Sequence, residues 1–192
     1  MMDIEFTVKA AQLFSAGLCM GLGAIGTALG IGYIGGYANT AVSRREGMSS
    51  QLVRSMLIAQ AVTETAAIFS LVVSILLVFI NFSGNGICAC AAVIGAGIAM
   101  GAGALGSGIG SGFPGAEAIL ATSRQPNGEG MTTLMLIGQA VCQTPAIFAL
   151  VISFMLMFRN CSGIDPWPYS ACLIGAGIAI GFGAIGSGWS GG

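Results

Sequence analysis

Five apolar stretches, each at least as long as a bilayer is thick, constrain this chain more than any other feature. A hydrocarbon core of about 30 Å needs roughly 20 helical residues per crossing. Runs of that length lie at residues 10–42, 56–82, 87–122, 132–158 and 169–189. Within lipid no water is present to satisfy the backbone, so such segments must be helices that bond their own peptide groups. A soluble fold is excluded from the other direction: 55% of the residues are hydrophobic and only 7% charged, too few to cover a water-facing surface. Runs longer than the hydrocarbon core imply helices that tilt or project beyond it. The reading is an all-α membrane protein.

The breaks between the runs are short and carry turn chemistry: residues 43–47, 81–86, 123–128 and 161–166 contain Gly47, Gly84, Gly86, Pro126, Gly128, Gly163 and Pro166. Short connections between long helices make hairpins. Arg44, Arg45 and Arg54 flank the first break and Arg124 the third, whereas the second is uncharged. The positive-inside rule therefore puts the first and third loops in the cytoplasm, with Arg159 a lesser term on the other side. The N-terminus, with Asp3, Glu5 and Lys9 before a long apolar run, does not read as a cleaved signal.

An internal repeat organises the runs. Residues 94–99 read Ile-Gly-Ala-Gly-Ile-Ala and residues 174–179 read the same. Gly21, Gly23 and Gly26 fall in register with Gly101, Gly103 and Gly106, then with Gly181, Gly183 and Gly186. The even-numbered helices repeat as well: Gln-Ala-Val-Thr-Glu-Thr at 60–65 matches Gln-Ala-Val-Cys-Gln-Thr at 139–144. The chain thus divides into a first hairpin (1–83), a second (84–162) and the first helix of an incomplete third repeat (163–192).

Several function classes have no residues to support them. Histidine is absent, which removes the commonest general base and metal ligand. Cys88 and Cys90 stand close together, but no second close pair completes a zinc site. The six cysteines, Cys19, Cys88, Cys90, Cys142, Cys161 and Cys172, read as small apolar packing residues. No basic patch suits nucleic acid, and no nucleophile–base pairing or phosphate loop indicates an enzyme. No cofactor is expected.

Two features remain that carry chemistry. The odd-numbered helices are glycine-rich, and Gly21, Gly26, Gly30, Gly101, Gly106 and Gly110 are expected at helix contacts, since small residues four apart let backbones approach closely. Glycine costs about 1 kcal/mol per helical position relative to alanine, so tight packing must offset the loss. The second feature is Glu64, the one ionisable residue deep in an apolar run, ten residues past Arg54. At roughly 15 Å from the cytoplasmic end, a carboxylate is expensive and by default functional. Gln60 stands one turn before it. Thr65 offers an oxygen beside it, or else bonds its own backbone. The second hairpin carries Gln143 at the matching position, followed by Thr144; an amide is nearly isosteric but cannot ionise, so one hairpin is active and one silent. Pro145 should loosen the helix nearby. Glu117, close to the Arg124 loop, reads as solvated or paired with that loop.

These residues together resemble the c subunit, or proteolipid, of rotary ATP synthases: a glycine-rich helix, an arginine-bearing loop, then a helix reading Gln-Ala-Val-x-Glu-Thr. The duplicated form with one missing carboxylate is similar to V-type proteolipids, and its mixture with bacterial sodium-type features resembles the hybrid rotor of acetogenic bacteria. The resemblance implies a rotor ring with glycine-rich helices inside, in the bacterial inner (plasma) membrane. Its ring partners are other c subunits, including single-hairpin ones. Other implied partners are the stator a subunit, the central-stalk subunits at Arg44, Arg45, Arg124, Gln125 and Pro126, and the lipid bilayer. It implies an ion site of Glu64, Thr65 and the Val62 carbonyl, with Gln60 beside it, carrying Na+ or H+ as cargo. The position where sodium-type members place a glutamine is Ile31 here and Ser111 in the second copy, and a family tyrosine is Phe69. The alternative is a structural or pore-forming glycine-rich proteolipid with no transport cycle.

Overall fold

The computed structural model describes residues 2–80, 82, 86–125, 130–159 and 165–192. Five long helices account for nearly all of them: α1 (Met2–Arg44), α2 (Ser49–Phe79), α3 (Gly86–Arg124), α4 (Met131–Met157) and α5 (Pro166–Ser190), with a single 3-10 turn, Glu46–Met48, between α1 and α2. All five are long and apolar enough to cross a membrane. The expected hairpin boundaries at 83/84 and 162/163 lie outside the described residues. α1 runs further than its apolar run predicted, taking in the polar residues before Ala10 to reach 43 residues, about 65 Å of helix. It ends where the Arg45 N–H donates to the Ala41 carbonyl at 3.1 Å. Gly130 opens α4 with a φ of 94°, a conformation that a side chain would strain. α5 starts on Pro166, whose missing N–H costs nothing in a first turn.

α3 lies at the centre and touches the other four helices. In its most apolar window 78% of residues are buried, against 28–39% for the others. α1 and α5 flank it to form one row of glycine-rich helices. α2 lies against both α1 and α3, and α4 against both α3 and α5, which makes a second, outer layer. The register repeats along the row. A β-carbon at Gly26 would run into the backbone of Leu105, and one at Gly106 into that of Ile185. Gly30 meets Gly108, and Gly110 meets Gly188, in the same way. α5 is therefore seated on α3 as α3 is seated on α1. Only glycine allows axes this close, and dispersion plus small-residue packing replaces the hydrophobic effect that lipid cannot supply.

The layers are joined by serines as well as by buried apolar side chains such as Val73, Leu77, Met100 and Leu156. Ser74 on α2 donates to the Ala16 carbonyl on α1 at 3.0 Å, and its counterpart Ser153 on α4 donates to the Ala96 carbonyl on α3 at 2.7 Å. Ser15 donates to the Val93 carbonyl at 2.7 Å, tying α1 to α3. Many large apolar residues also face outward: Leu57, Ile68, Leu71 and Ile75 on α2, and Leu134, Ile137, Val141, Phe148 and Met155 on α4, are all exposed. This distribution suits hydrocarbon as the solvent. Cys88 corrects the reading of the cysteines as inert packing residues, because it is disulfide-bonded. It lies in the first turns of α3, at the end opposite Arg124. Cys19, Cys90, Cys142 and Cys172 are free thiols.

Candidate functional site

Glu64 is the middle residue of α2, with fifteen helical residues on either side, so roughly 22 Å of helix separates it from each end. Glu64 is exposed, in line with Leu57, Ile68, Leu71 and Ile75 on the outer face of α2. Among the described residues it has no hydrogen-bond or ion-pair partner. Gln60 does not join it, since its amide lies against Gly35 of α1.

Thr65 resolves the two options left open for it. Its hydroxyl donates to the Val62 carbonyl in its own helix at 2.8 Å. That bond uses the hydroxyl proton and leaves the oxygen lone pairs available to an incoming cation or donor. The two residues bound by the resemblance, Thr65 and Val62, thus form one oxygen-bearing edge of α2.

That edge faces the second hairpin, and Gln143 fills the place opposite. The Gln143 Nε2 donates across the helix boundary to the Val62 carbonyl at 3.3 Å and to the Ser111 Oγ on α3 at 3.4 Å. Ser111 in turn donates to the Gly108 carbonyl at 3.1 Å. Gln143 is buried, and its Oε1 has no hydrogen-bond partner. The amide orientation follows from its surroundings, because the reverse assignment would set Oε1 against the Val62 carbonyl oxygen. A carboxyl group at this position could make the same bond only while carrying a proton.

Sequence reasoning noted Gln139 only as the counterpart of Gln60 and did not see its role. It is fully buried, and its Nε2 lies within bonding distance of the Ala59 carbonyl (3.0 Å), the Ser111 carbonyl (3.1 Å) and the Thr63 Oγ1 (3.2 Å), which joins α2, α3 and α4. An amide inside an apolar run was the signal available. Ser107 was missed too. Its hydroxyl accepts from the Ala146 N–H at 3.1 Å, beside Pro145, which disturbs the local helix ladder. The helix nonetheless continues through Pro145.

The remaining predicted residues divide by location. Gly26, Gly30, Gly101, Gly106 and Gly110 sit at helix crossings, whereas Gly21 meets nothing within 4 Å and lies on a free edge of α1. Thr144, exposed on α4, donates to the Ala140 carbonyl at 3.2 Å. Arg44 and Arg124 are the last residues of α1 and α3, with Arg45 and Gln125 just beyond; Pro126 lies outside the described residues. Glu117 is exposed. Among the described residues no cluster of three or more histidine, cysteine or carboxylate side chains could hold a metal ion.

Comparison with known proteins gives the family. The family model for the ATP synthase c subunit matches twice, at residues 14–77 and 94–156. The K subunit of the A-type ATP synthase of Methanocaldococcus jannaschii is 34% identical over 151 residues, which cover 79% of this chain and 64% of that protein. The ATP synthase c subunit of Petrotoga mobilis is 46% identical over 69 residues, 36% of this chain and 72% of its own length. That of Natranaerobius thermophilus is 44% identical over 78 residues, 40% of this chain and 90% of its own.

Proposed function

The chain belongs to the family of ATP synthase c subunits, and from that premise we propose that it is an ion-carrying member of the rotor ring of a rotary ATP synthase. Glu64 is the carrier and Gln143 its non-ionisable counterpart. The observation that supports this most is the bond from Gln143 to the Val62 carbonyl across the boundary between the two hairpins. The amide behaves as a carboxyl permanently loaded with its proton, a donor to a carbonyl on the hairpin before it. Glu64 is the matching residue of the first hairpin. Applying the same step once more would bring the Val141 carbonyl and Thr144 hydroxyl of a neighbouring copy beside it.

The free edges support that arrangement. Gly97 and Gly101 of α3 pack on α1, yet their α1 counterparts Gly17 and Gly21 meet nothing. Gly106 packs on α5, yet its α5 counterpart Gly186 also meets nothing. The open face of α5 and the open face of α1 are thus complementary, and contacts of this head-to-tail kind close into rings. Other c-type subunits, single-hairpin ones included, fit the same edges.

Exposure of Glu64 to lipid supplies the transport logic. An ionised carboxylate facing hydrocarbon is costly, so it crosses the lipid-facing arc only when neutralised by a proton or a sodium ion. It would be loaded and emptied in aqueous half-channels of the stator a subunit, where a stator arginine displaces the ion. The residues offered are the carboxylate, a threonine oxygen and a carbonyl, with Ile31 contributing no oxygen opposite. Ion flow turns the ring, and catalysis belongs to other subunits. Arg45, Gln125 and the residues after it would meet the central stalk.

Dicyclohexylcarbodiimide, which attacks protonated carboxyls in apolar surroundings, tests the reading. We expect labelling at Glu64 and loss of ion transport in Glu64→Gln. Unimpaired transport in that variant would leave only a structural proteolipid. Sodium slowing the labelling at fixed pH identifies sodium as the cargo; labelling that depends on pH alone identifies the proton.

A further inference from the structure

The boundary between the two hairpins has more hydrogen-bond acceptors than protons. Gln139 and Gln143 stand one turn apart on α4, so their side chains share a face. Both amides reach Ser111 of α3: the Gln139 Nε2 lies 3.1 Å from its carbonyl oxygen, and the Gln143 Nε2 lies 3.4 Å from its Oγ. Between them they meet five acceptors, since the Ala59 and Val62 carbonyls and the Thr63 Oγ1 are also in reach. Two primary amides hold four protons, so none is spare. The hydroxyl protons of Thr63 and Ser111 are spent as well, the first on the Ala59 carbonyl at 3.0 Å and the second on the Gly108 carbonyl at 3.1 Å.

Two acceptors are left over. The Gln139 Oε1 and the Gln143 Oε1 have no hydrogen-bond partner among the described residues, and the side chains that bear them are 0% and 6% exposed. Turning the amides over does not help. It sets the Gln139 Oε1 against the Ala59 and Ser111 carbonyl oxygens, and the Gln143 Oε1 against that of Val62. A buried amide oxygen without a donor is costly, and hydrocarbon offers none. The pair therefore calls for a small molecule with two protons to give.

The chemistry of the site decides which one. A hard metal cation takes more oxygens than the two left unengaged. Its charge would also meet no carboxylate, since Glu64 is exposed on the outer face of α2. Water serves both amides at once. Ser107, one turn before Ser111 on α3, accepts from the Ala146 N–H at 3.1 Å and still carries a proton to donate. That gives a water the three bonds usual for a buried one.

We propose that a resident water bridges the Gln139 Oε1, the Gln143 Oε1 and the Ser107 hydroxyl between α3 and α4. The amide nitrogens fasten α2 and α3, while the amide oxygens hold the water. The silent hairpin thus keeps a neutral guest in its polar interior. The site does not depend on Glu64 and stands whichever ion the ring carries.

The test is electron cryomicroscopy of the full chain in lipid nanodiscs, in sodium and in thallium salt, at a resolution that shows ordered waters at the exposed helix ends. We expect one density peak within hydrogen-bonding distance of both Oε1 atoms, about 2.5–3.0 Å, and equal in the two salts. Gln139→Met, close in shape but without an acceptor, should abolish the peak, whereas Glu64→Gln should leave it in place. The unaltered protein decides the matter alone if Gln139→Met fails to fold. Side chains closed over both oxygens, or Ser107 bonded directly to one of them, with no peak, would overturn the proposal. A peak that strengthens in thallium would be a cation and would overturn it too. So would a peak that survives Gln139→Met, since the bridge would then not exist.

Discussion

Replacing Gln143 with glutamate should create a second reactive carboxyl without breaking the fold. Gln143 makes two donor contacts, at 3.3 Å to the Val62 carbonyl and 3.4 Å to the Ser111 Oγ. A protonated carboxyl keeps the first. The second changes direction, because Ser111 can turn its own proton from the Gly108 carbonyl toward the new oxygen. Both contacts are long, and interhelical bonds in membranes average about 0.6 kcal/mol, so the protonated variant should lose no more than about 1 kcal/mol. The ionised form is different. It donates nothing, and it sets negative charge against the Val62 carbonyl oxygen in a buried site, a cost of several kcal/mol. The new carboxyl is therefore held protonated, the form that carbodiimide attacks. Mass spectrometry of labelled Gln143→Glu should find modification in the α4 peptide in addition to Glu64, rising from one label per chain to two, with helicity by circular dichroism unchanged. A folded variant labelled only at Glu64 would refute the reasoning, since it would mean that the Val62 carbonyl does not select a proton donor there.

Other perturbations separate packing from chemistry. Gly106→Leu, pressed against the Ile185 backbone, should displace α5 and lower thermal stability in detergent, while the same change at Gly21, on the free edge, should leave the monomer intact and block ring assembly on native gels. Gln139→Leu removes the donor that joins Ala59 and Thr63 of α2 to Ser111 of α3, while the Thr63 hydroxyl keeps its bond to the Ala59 carbonyl; it should cost about 1 kcal/mol, measured as a lowered unfolding midpoint. Paired cysteines at Gly17 and Gly175, both open within one chain, should form cross-links between copies and not within them.

The parts of this molecule legible in the sequence are those that depend on composition and repetition. Lipid demands helices, arginines mark hairpin loops, and a glycine repeated at fixed register announces a backbone contact such as Gly26 on Leu105 or Gly106 on Ile185. The direction in which α2 points its residues was not legible. Leu57, Ala61, Glu64 and Ile68 share an exposed face with no contrast in hydrophobicity to the others, because both lipid and protein interior accept apolar side chains, so the apolar pattern alone does not mark that face. Thr65 could serve the site or its backbone, and the bond to Val62 shows that one hydroxyl does the second without losing its lone pairs for the first. Gln139 stayed hidden because its partners are backbone carbonyls and a threonine from helices distant in sequence, which no local pattern records.

The two halves of the repeat differ in more than one atom of side chain. The site around Gln143 is completed inside the chain, by Val62 on one side and Ser111 on the other. A protonated carboxyl placed there would be buried, with no exposed face to load and unload through. Glu64 lies at the open edge of the first hairpin, exposed and without a partner among the described residues. Its matching carbonyl, Val141, and hydroxyl, Thr144, lie on the exposed surface of α4, open to a neighbouring subunit. Fusing two hairpins into one chain thus creates one fixed internal boundary and one boundary between subunits. On this reading the ionisable residue stands at the second, where a site is assembled from two subunits and its outward face can meet a stator. The amide stands at the first, where it fastens α2 to α4. Placing the silent residue at the internal boundary lets it serve as a structural bond, so losing the charge there strengthens the chain while leaving the ring its carrier.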